Sequence, residues 1–280
     1  MRTTITALAL VLSGSALAAC STEAQMRAED PAAHSTGAAS TEPAEPAEAD
    51  AVRTADLATV LDDGDGAELC LGGVAESLPP QCSGLPMAGW DWAEHPEHEE
   101  AAGVRWGSFA VTGSYDGETF TVTEAVPAAL YDPMAQEPEE PLGTPCEEVG
   151  DAIDASRATP EAMDATLNAA AALPDVAMVW LDEDLINVAV TEDPARAEAK
   201  LRETWGGLLC VSTAEHTQRE LEAIQQELNE LPGLLSSGST RPDHIGVTVV
   251  HDDGSIQEQV DEEYGEGLVE VSSALVSAEG

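Results

Sequence analysis

Two hundred and eighty residues carry 54 acidic against ten basic side chains, a formal charge of −44. A surface of that sign repels phosphate backbones, because nucleic-acid binding rests on neutralising phosphates with Lys and Arg. DNA and RNA are therefore excluded as partners, and so is adhesion of the protein surface to anionic headgroups. The apolar fraction of 43% allows a proper core, and 4% aromatic content makes that core chiefly aliphatic.

Arg2 and the amine of Met1 form a small positive region, residues 5–12 an apolar stretch, and residues 13–19 a run of small side chains suited to cleavage. The apolar stretch falls short of the ~20 residues that span a bilayer, so residues 1–19 read as a signal peptide and not as a transmembrane helix. The ending Leu17-Ala18-Ala19-Cys20 resembles the lipobox of bacterial lipoproteins. By that resemblance Cys20 is the lipid attachment site, and the protein sits on the extracytoplasmic face of the cell membrane with the lipid as its membrane contact. Two or more acyl chains, at about 0.8 kcal/mol per buried CH₂, hold a protein where a single chain grips only marginally. Residues 20–52, built mainly of Ala, Glu, Pro, Ser and Thr without apolar periodicity, cannot bury enough surface to offset their ordering entropy. They read as a disordered acidic tether.

With Cys20 set aside, Cys70, Cys82, Cys146 and Cys210 remain. An even number in an exported chain reads as disulfides, for which four cysteines allow three pairings. The expected one joins Cys70 to Cys82 across the turn containing Pro79-Pro80, and Cys146 to Cys210. On the loop-entropy account the short loop contributes about 3 kcal/mol and the long one about 4. No C-x₂-C spacing supports a zinc site.

The rest of the chain predicts an α+β protein in two parts: a β-rich domain over 53–132, a proline-rich acidic linker over 133–145, and an α+β domain over 146–277. In the first, residues 67–74, 104–112 and 119–126 are strand-like. Trp90, Trp92, Trp106, Phe109 and Phe120 mark its core. Asp116-Gly117 is a favoured hairpin turn. These features predict a small antiparallel barrel-like unit, and the 106–122 hairpin looks like part of an OB-type barrel, an analogy that carries no function. His95-Pro-Glu-His98-Glu99 has the residue types of a transition-metal site, although Pro96 breaks any regular helix through it and the stretch reads first as an exposed loop. Asp62-Asp-Gly-Asp-Gly66 hints at calcium but fails the EF-hand register at Ala67, and reads as a turn.

In the second part Thr159-Pro160-Glu161 opens a helix that runs to Pro174. Residues 176–181 and 185–190 form a hairpin, Asp193-Pro194 starts a helix ended by Gly206-Gly207, and 208–211 return as a strand, a crossover onto the same sheet. Thr217-Gln-Arg-Glu220 is a capping box, followed by Leu221, Ile224, Leu228 and Leu231 on one helical face. Residues 245–250 and 255–260 read as a hairpin around His251-Asp-Asp-Gly254, and 268–275 as a last strand. The expected whole is an α+β sandwich, one mixed sheet with helices on one side, without an internal repeat. His216, His244 and His251 fall at element ends and read as solvated.

No Gly-x-Ser-x-Gly elbow, His-Glu-x-x-His pair, phosphate loop or dinucleotide fingerprint occurs, so no motif points to an enzyme and no cofactor is implied. The runs Leu69-Cys-Leu-Gly-Gly-Val74, Pro79-Pro-Gln-Cys-Ser-Gly84 and Tyr264-Gly-Glu-Gly267 are similar to exported lipoproteins of actinomycetes, a resemblance that implies no known activity. The expected function is a membrane-anchored, non-enzymatic binding or interaction module. The alternatives are a metal-assisted hydrolase using His95, His98 and Glu99, and a calcium-dependent acidic surface protein.

Overall fold

Eight strands build the largest sheet: β1 (Ala51–Thr54), β2 (Ala58–Asp62), β3 (Ala67–Cys70), β4 (Leu85–Ala88), β5 (Glu99–Ala101), β6 (Val104–Tyr115), β7 (Phe120–Pro127) and, from the far end of the chain, β14 (Leu275–Ser277). The computed structural model describes residues 51–131, 141–147, 149 and 154–278. The signal-peptide reading, Cys20 and the tether up to residue 50 lie outside these residues.

β6 organises this sheet because it is long enough to take different partners along its length. It pairs antiparallel with β2 on one edge, Ala58 opposite Phe109, and with β7 on the other, Tyr115 opposite Phe120. β3 and β4 follow β2 in antiparallel order, and β4 lies parallel to β7, so the hydrogen-bonded path β6-β2-β3-β4-β7 returns to β6. Phe109, Val111, Phe120, Val60 and Leu69 form one apolar cluster on this sheet, all essentially unexposed. Gly113 sits at the bulge between β6 and β7, where a Cβ would collide with the Thr121 carbonyl. The 116–119 turn is two residues longer than the expected Asp-Gly connection, with Asp116 accepting from the backbone N–H groups of Glu118 and Thr119. β1 pairs with β6 and, on its other edge, with β14, so this sheet draws strands from both ends of the folded chain.

The α+β stretch contains α1 (Pro160–Ala171), β8 (Val176–Asp182), β9 (Leu185–Val190), α2 (Pro194–Leu201) and β10 (Leu209–Thr213). It continues with α3 (Gln218–Leu228), β11 (Leu234–Arg241), β12 (His244–Val249), α4 (Ser255–Tyr264) and β13 (Val269–Ser273). The caps are as expected: Thr159 accepts from Ala162 N–H, Asp193 from Arg196 N–H, and Thr217 with Glu220 forms a reciprocal capping box. The single expected sheet is instead two three-stranded sheets, β10-β9-β8 and β11-β12-β13, each with one antiparallel and one parallel pairing.

The two halves are the same unit twice, helix-strand-strand-helix-strand, which corrects the expectation of no repeat. Thr159 and Thr217 cap the first helices, and Leu173-Pro174 and Leu231-Pro232 end their turns. Ile186 and Ile245 are the unexposed second residues of the middle strands, and their N–H groups donate to the carbonyls of Leu208 and Leu268. Ala197 and Leu201 in α2 match Ile256 and Val260 in α4, and Trp205-Gly206 matches Tyr264-Gly265. Each unit owns a separate apolar cluster between its helices and its sheet.

Two elements differ from expectation for local reasons. Residues 255–264 are helix and not strand: Ile256 and Val260, four apart, share a helical face, and Asp252 accepts from the N–H groups of Ile256 and Gln257 at 2.9 and 3.3 Å. β11, Leu-Leu-Ser-Ser-Gly-Ser-Thr-Arg, has the composition of a loop and is a strand only because it pairs with β12. Both disulfides form as expected, Cys70–Cys82 and Cys146–Cys210, with sequence separations of 12 and 64. Among the described residues no helix is long and apolar enough to cross a membrane. Leu201→Ala, which empties an unexposed position in the first unit, is expected to cost about 2–5 kcal/mol in urea unfolding. Leu78→Ala, at a side chain 79% exposed, is expected to stay within about 0.5 kcal/mol.

Candidate functional site

The β11-β12-β13 sheet has one face committed to the core and one left for chemistry. Along β12, Ile245, Val247 and Val249 point to α3 and α4, so period-two geometry sends His244, Gly246 and Thr248 to the other face. Parallel pairing sets Gly246 beside Glu270 and Thr248 beside Ser272, and Ser236 and Gly238 of β11 complete the rows. The hydroxyls of Thr248 and Ser272 lie 3.2 Å apart. Pro141 and Leu142 wall the groove that results, of about 900 Å³.

His244 is the anchor of the cluster. Although expected at a solvated strand end, it is 4% exposed, because Thr240, Glu270 and their neighbours close over the ring. Its Nε2 lies 2.8 Å from Glu270 Oε2 and its Nδ1 2.9 Å from Thr240 Oγ1. A carboxylate only accepts, so Nε2 donates to Glu270, and the Thr240 hydroxyl takes the other ring nitrogen. A register shift between Gly238 and Arg241 brings Thr240 and Arg241 to the same groove. Arg241 Nη2 stands 3.6 Å from Glu270 Oε2, and the two side chains are 55% and 66% exposed. The groove thus presents a guanidinium donor and a carboxylate acceptor side by side, the latter held in place from behind by a buried imidazole.

The floor is bare. Gly238 and Gly246 face each other across the ladder, and neither has a positive φ. A Cβ at Gly238 would meet nothing within 4 Å, and one at Gly246 would make only ordinary contacts, the nearest at 3.6 Å with Thr240. Packing therefore does not demand glycine at either place; a strand-interior glycine marks a bulge or a close approach of a ligand or another backbone, and the register shift beside Gly238 accounts for that one, which leaves Gly246 without a local demand.

The sequence-predicted candidates fall elsewhere. His95 stacks on Trp90 at 4.0 Å, and His98 turns its Nδ1 to the His95 carbonyl at 2.7 Å while its ring leans on Trp92. Glu99 lies exposed on β5 opposite Trp106. The histidines are spent on aromatic packing, and among the described residues no group of three or more His, Cys, Asp or Glu is gathered to hold a metal ion. The Asp62–Gly66 stretch is a turn, with Asp62 accepting from Gly64 N–H and Asp63 from Asp65 N–H. His216 bonds Asp243, and His251 the Leu275 carbonyl. Sequence reasoning missed Thr240, Arg241, Gly246 and Glu270. The alternation of 244–249 was the available signal, but without β11 as a strand it had no partner row.

Comparison with protein-family models, with curated proteins and with solved structures finds no match to this chain.

Beside the aromatic cluster, Asp62 is buried and accepts from Trp92 Nε1 at 3.0 Å and Arg105 Nη2 at 2.7 Å. Burial pushes its carboxyl up, but the Gly64 N–H, the Trp92 indole and the Arg105 guanidinium together outweigh that and hold it below the usual carboxylate range. A carboxyl depressed in the folded state contributes stability above its unfolded pKa and loses it as pH falls through the folded value. Asp62→Asn is expected to cost about 1.5–3 kcal/mol near neutral pH. The gap to the wild type should narrow steadily in acid when urea unfolding is repeated across the carboxylate range.

Proposed function

We propose that the protein is a lipid-anchored extracytoplasmic binding module, held to the outer face of the cytoplasmic membrane through Cys20 and standing off it on the tether that precedes β1. The groove on the β11-β12-β13 sheet is its binding surface. The observation that carries the reading is that groove: a donor and an acceptor presented together over a glycine floor that packing does not require. The reading is of binding and not of catalysis because the one imidazole of the groove is 4% exposed, with Glu270 and Thr240 closed over it, so that Arg241 and Glu270 and not the ring meet what enters. Two disulfides support an oxidising compartment, where such bonds persist. We also read the closed path β6-β2-β3-β4-β7 as a small barrel of the OB type, four antiparallel pairings and one parallel, serving as a rigid body beside the duplicated units.

Fractionation tests the anchor. The wild type is expected in the membrane pellet after a high-salt wash and Cys20→Ser in the soluble fraction. A Cys20→Ser protein that still pellets with the membranes overturns the anchoring.

A further inference from the structure

The duplication says what a groove of this shape is for. In the first unit, the cross-strand row equivalent to Gly238-Gly246-Glu270 is Trp180-Asn187-Cys210. A stretch of the protein's own chain lies over that row: the Gly143 carbonyl accepts from Trp180 Nε1 at 3.1 Å on β8, and Cys146 is disulfide-bonded to Cys210 on β10. β8 and β10 are the two outer strands, so residues 143–146 cross the whole sheet, and Leu185, Asn187, Ala189 and Cys210 beneath are buried. In the second unit the covalent tie is replaced by Glu270, the large Trp180 by Gly238 and the amide of Asn187 by Gly246. Pro141 and Leu142, just before the crossing segment, form the wall of this second groove, which is open among the described residues.

Resting on the binding-module reading, we propose that this groove takes an extended peptide segment of a partner, laid across β11-β12-β13 as residues 143–146 are laid across β8-β9-β10. A backbone lying on a sheet face gets no ladder hydrogen bonds, so its carbonyls and N–H groups need side-chain partners. Trp180 provides one for Gly143. In the second groove the Arg241 guanidinium donates to a peptide carbonyl, and the Glu270 carboxylate accepts from a peptide N–H. The bare floor of Gly238 and Gly246 receives a bulky side chain from the peptide, where the first unit fills the same space with its own Trp180. Charge selects the peptide further. Arg241 and Glu270 leave the groove itself neutral, while the chain around it carries −44, so the long-range field draws in a net basic segment.

Gly246→Val makes the test: a Cβ there meets only ordinary contacts and valine suits a strand, so the variant is expected to fill the floor, and its melting temperature reports whether the fold is kept. The intact chain carrying Cys20→Ser is panned against a displayed random heptapeptide library, with the same chain carrying Gly246→Val as counter-selection, and is applied in parallel to an oligosaccharide array. The expected result is a set of enriched basic peptides sharing one bulky residue. Their affinity should fall at least tenfold in Gly246→Val and in Glu270→Gln, with the melting temperature of Gly246→Val no lower than that of the parent. Peptides that bind the Gly246→Val protein equally well, or no enrichment at all, overturn the proposal. Oligosaccharide binding lost in Gly246→Val, with no peptide enriched, overturns it too while leaving the binding-module reading in place. Silence on both supports sinks the two together.

Discussion

Three aliphatic side chains on one short strand decide where the chemistry of this protein can be. Ile245, Val247 and Val249 must lie under α3 and α4, since together with Leu221, Leu228 and Val260 they are the core of the second unit. Side chains alternate along a strand with a period of two, so burying these three forces His244, Gly246 and Thr248 to the opposite face. A slip of one residue would turn a histidine and a threonine into the apolar core and strand three apolar groups on the other face, which fixes the register firmly. Parallel pairing with β13 then delivers Glu270 and Ser272 to the same surface. The groove inherits its geometry from the hydrophobic core beneath it.

Because the unit occurs twice, the molecule carries its own control. Features found in both copies are demands of the fold: the capping threonines, the Leu-Pro turns, the buried isoleucines, and the N–H bonds from those isoleucines to Leu208 and Leu268. The histidine, arginine and glutamate of the second groove are absent from the first copy, where their places are held by Leu185, Asp182 and Cys210, the first and last of them buried. Folding such a unit therefore needs no histidine, arginine or glutamate on that face. Their presence in one copy and not in the other separates what the scaffold requires from what the surface does.

Short-range chemistry was legible in the sequence. The caps at Thr159, Asp193 and Thr217 are decided by a side-chain oxygen reaching an N–H two or three residues on, and the disulfides by a count of four cysteines in a chain that begins with a signal-like segment. The repeat was not, because packing conserves the apolar face and not identity: Ala197 with Leu201 in one copy answers to Ile256 with Val260 in the other, all four buried. β11 was hidden because its sequence favours no strand and only its partner makes it one. The site was lost with it, since Arg241 and Thr240 reach His244 only across the β11-β12 turn. His95 and His98 misled for the opposite reason. Their residue types suit a metal, but aromatic neighbours capture both rings first.

The two faces also divide labour energetically. In the first unit the crossing segment, the disulfide and the buried row work toward a stable sheet, and closing a loop of sequence separation 64 constrains the unfolded chain further. In the second, an ion pair at 3.6 Å between two side chains more than half exposed contributes at most about 1 kcal/mol, and each strand glycine costs roughly 0.5–1 kcal/mol against alanine. Stability alone would fill that floor and remove those charges. A duplicated unit can keep such a face because its twin, strapped and closed, and the large sheet tied to it through β14 supply the rigidity that the open face gives up. On the proposed reading the closed copy is the condition for the open one: a surface kept bare for a visitor has to be mounted on something that does not need that surface to stay folded.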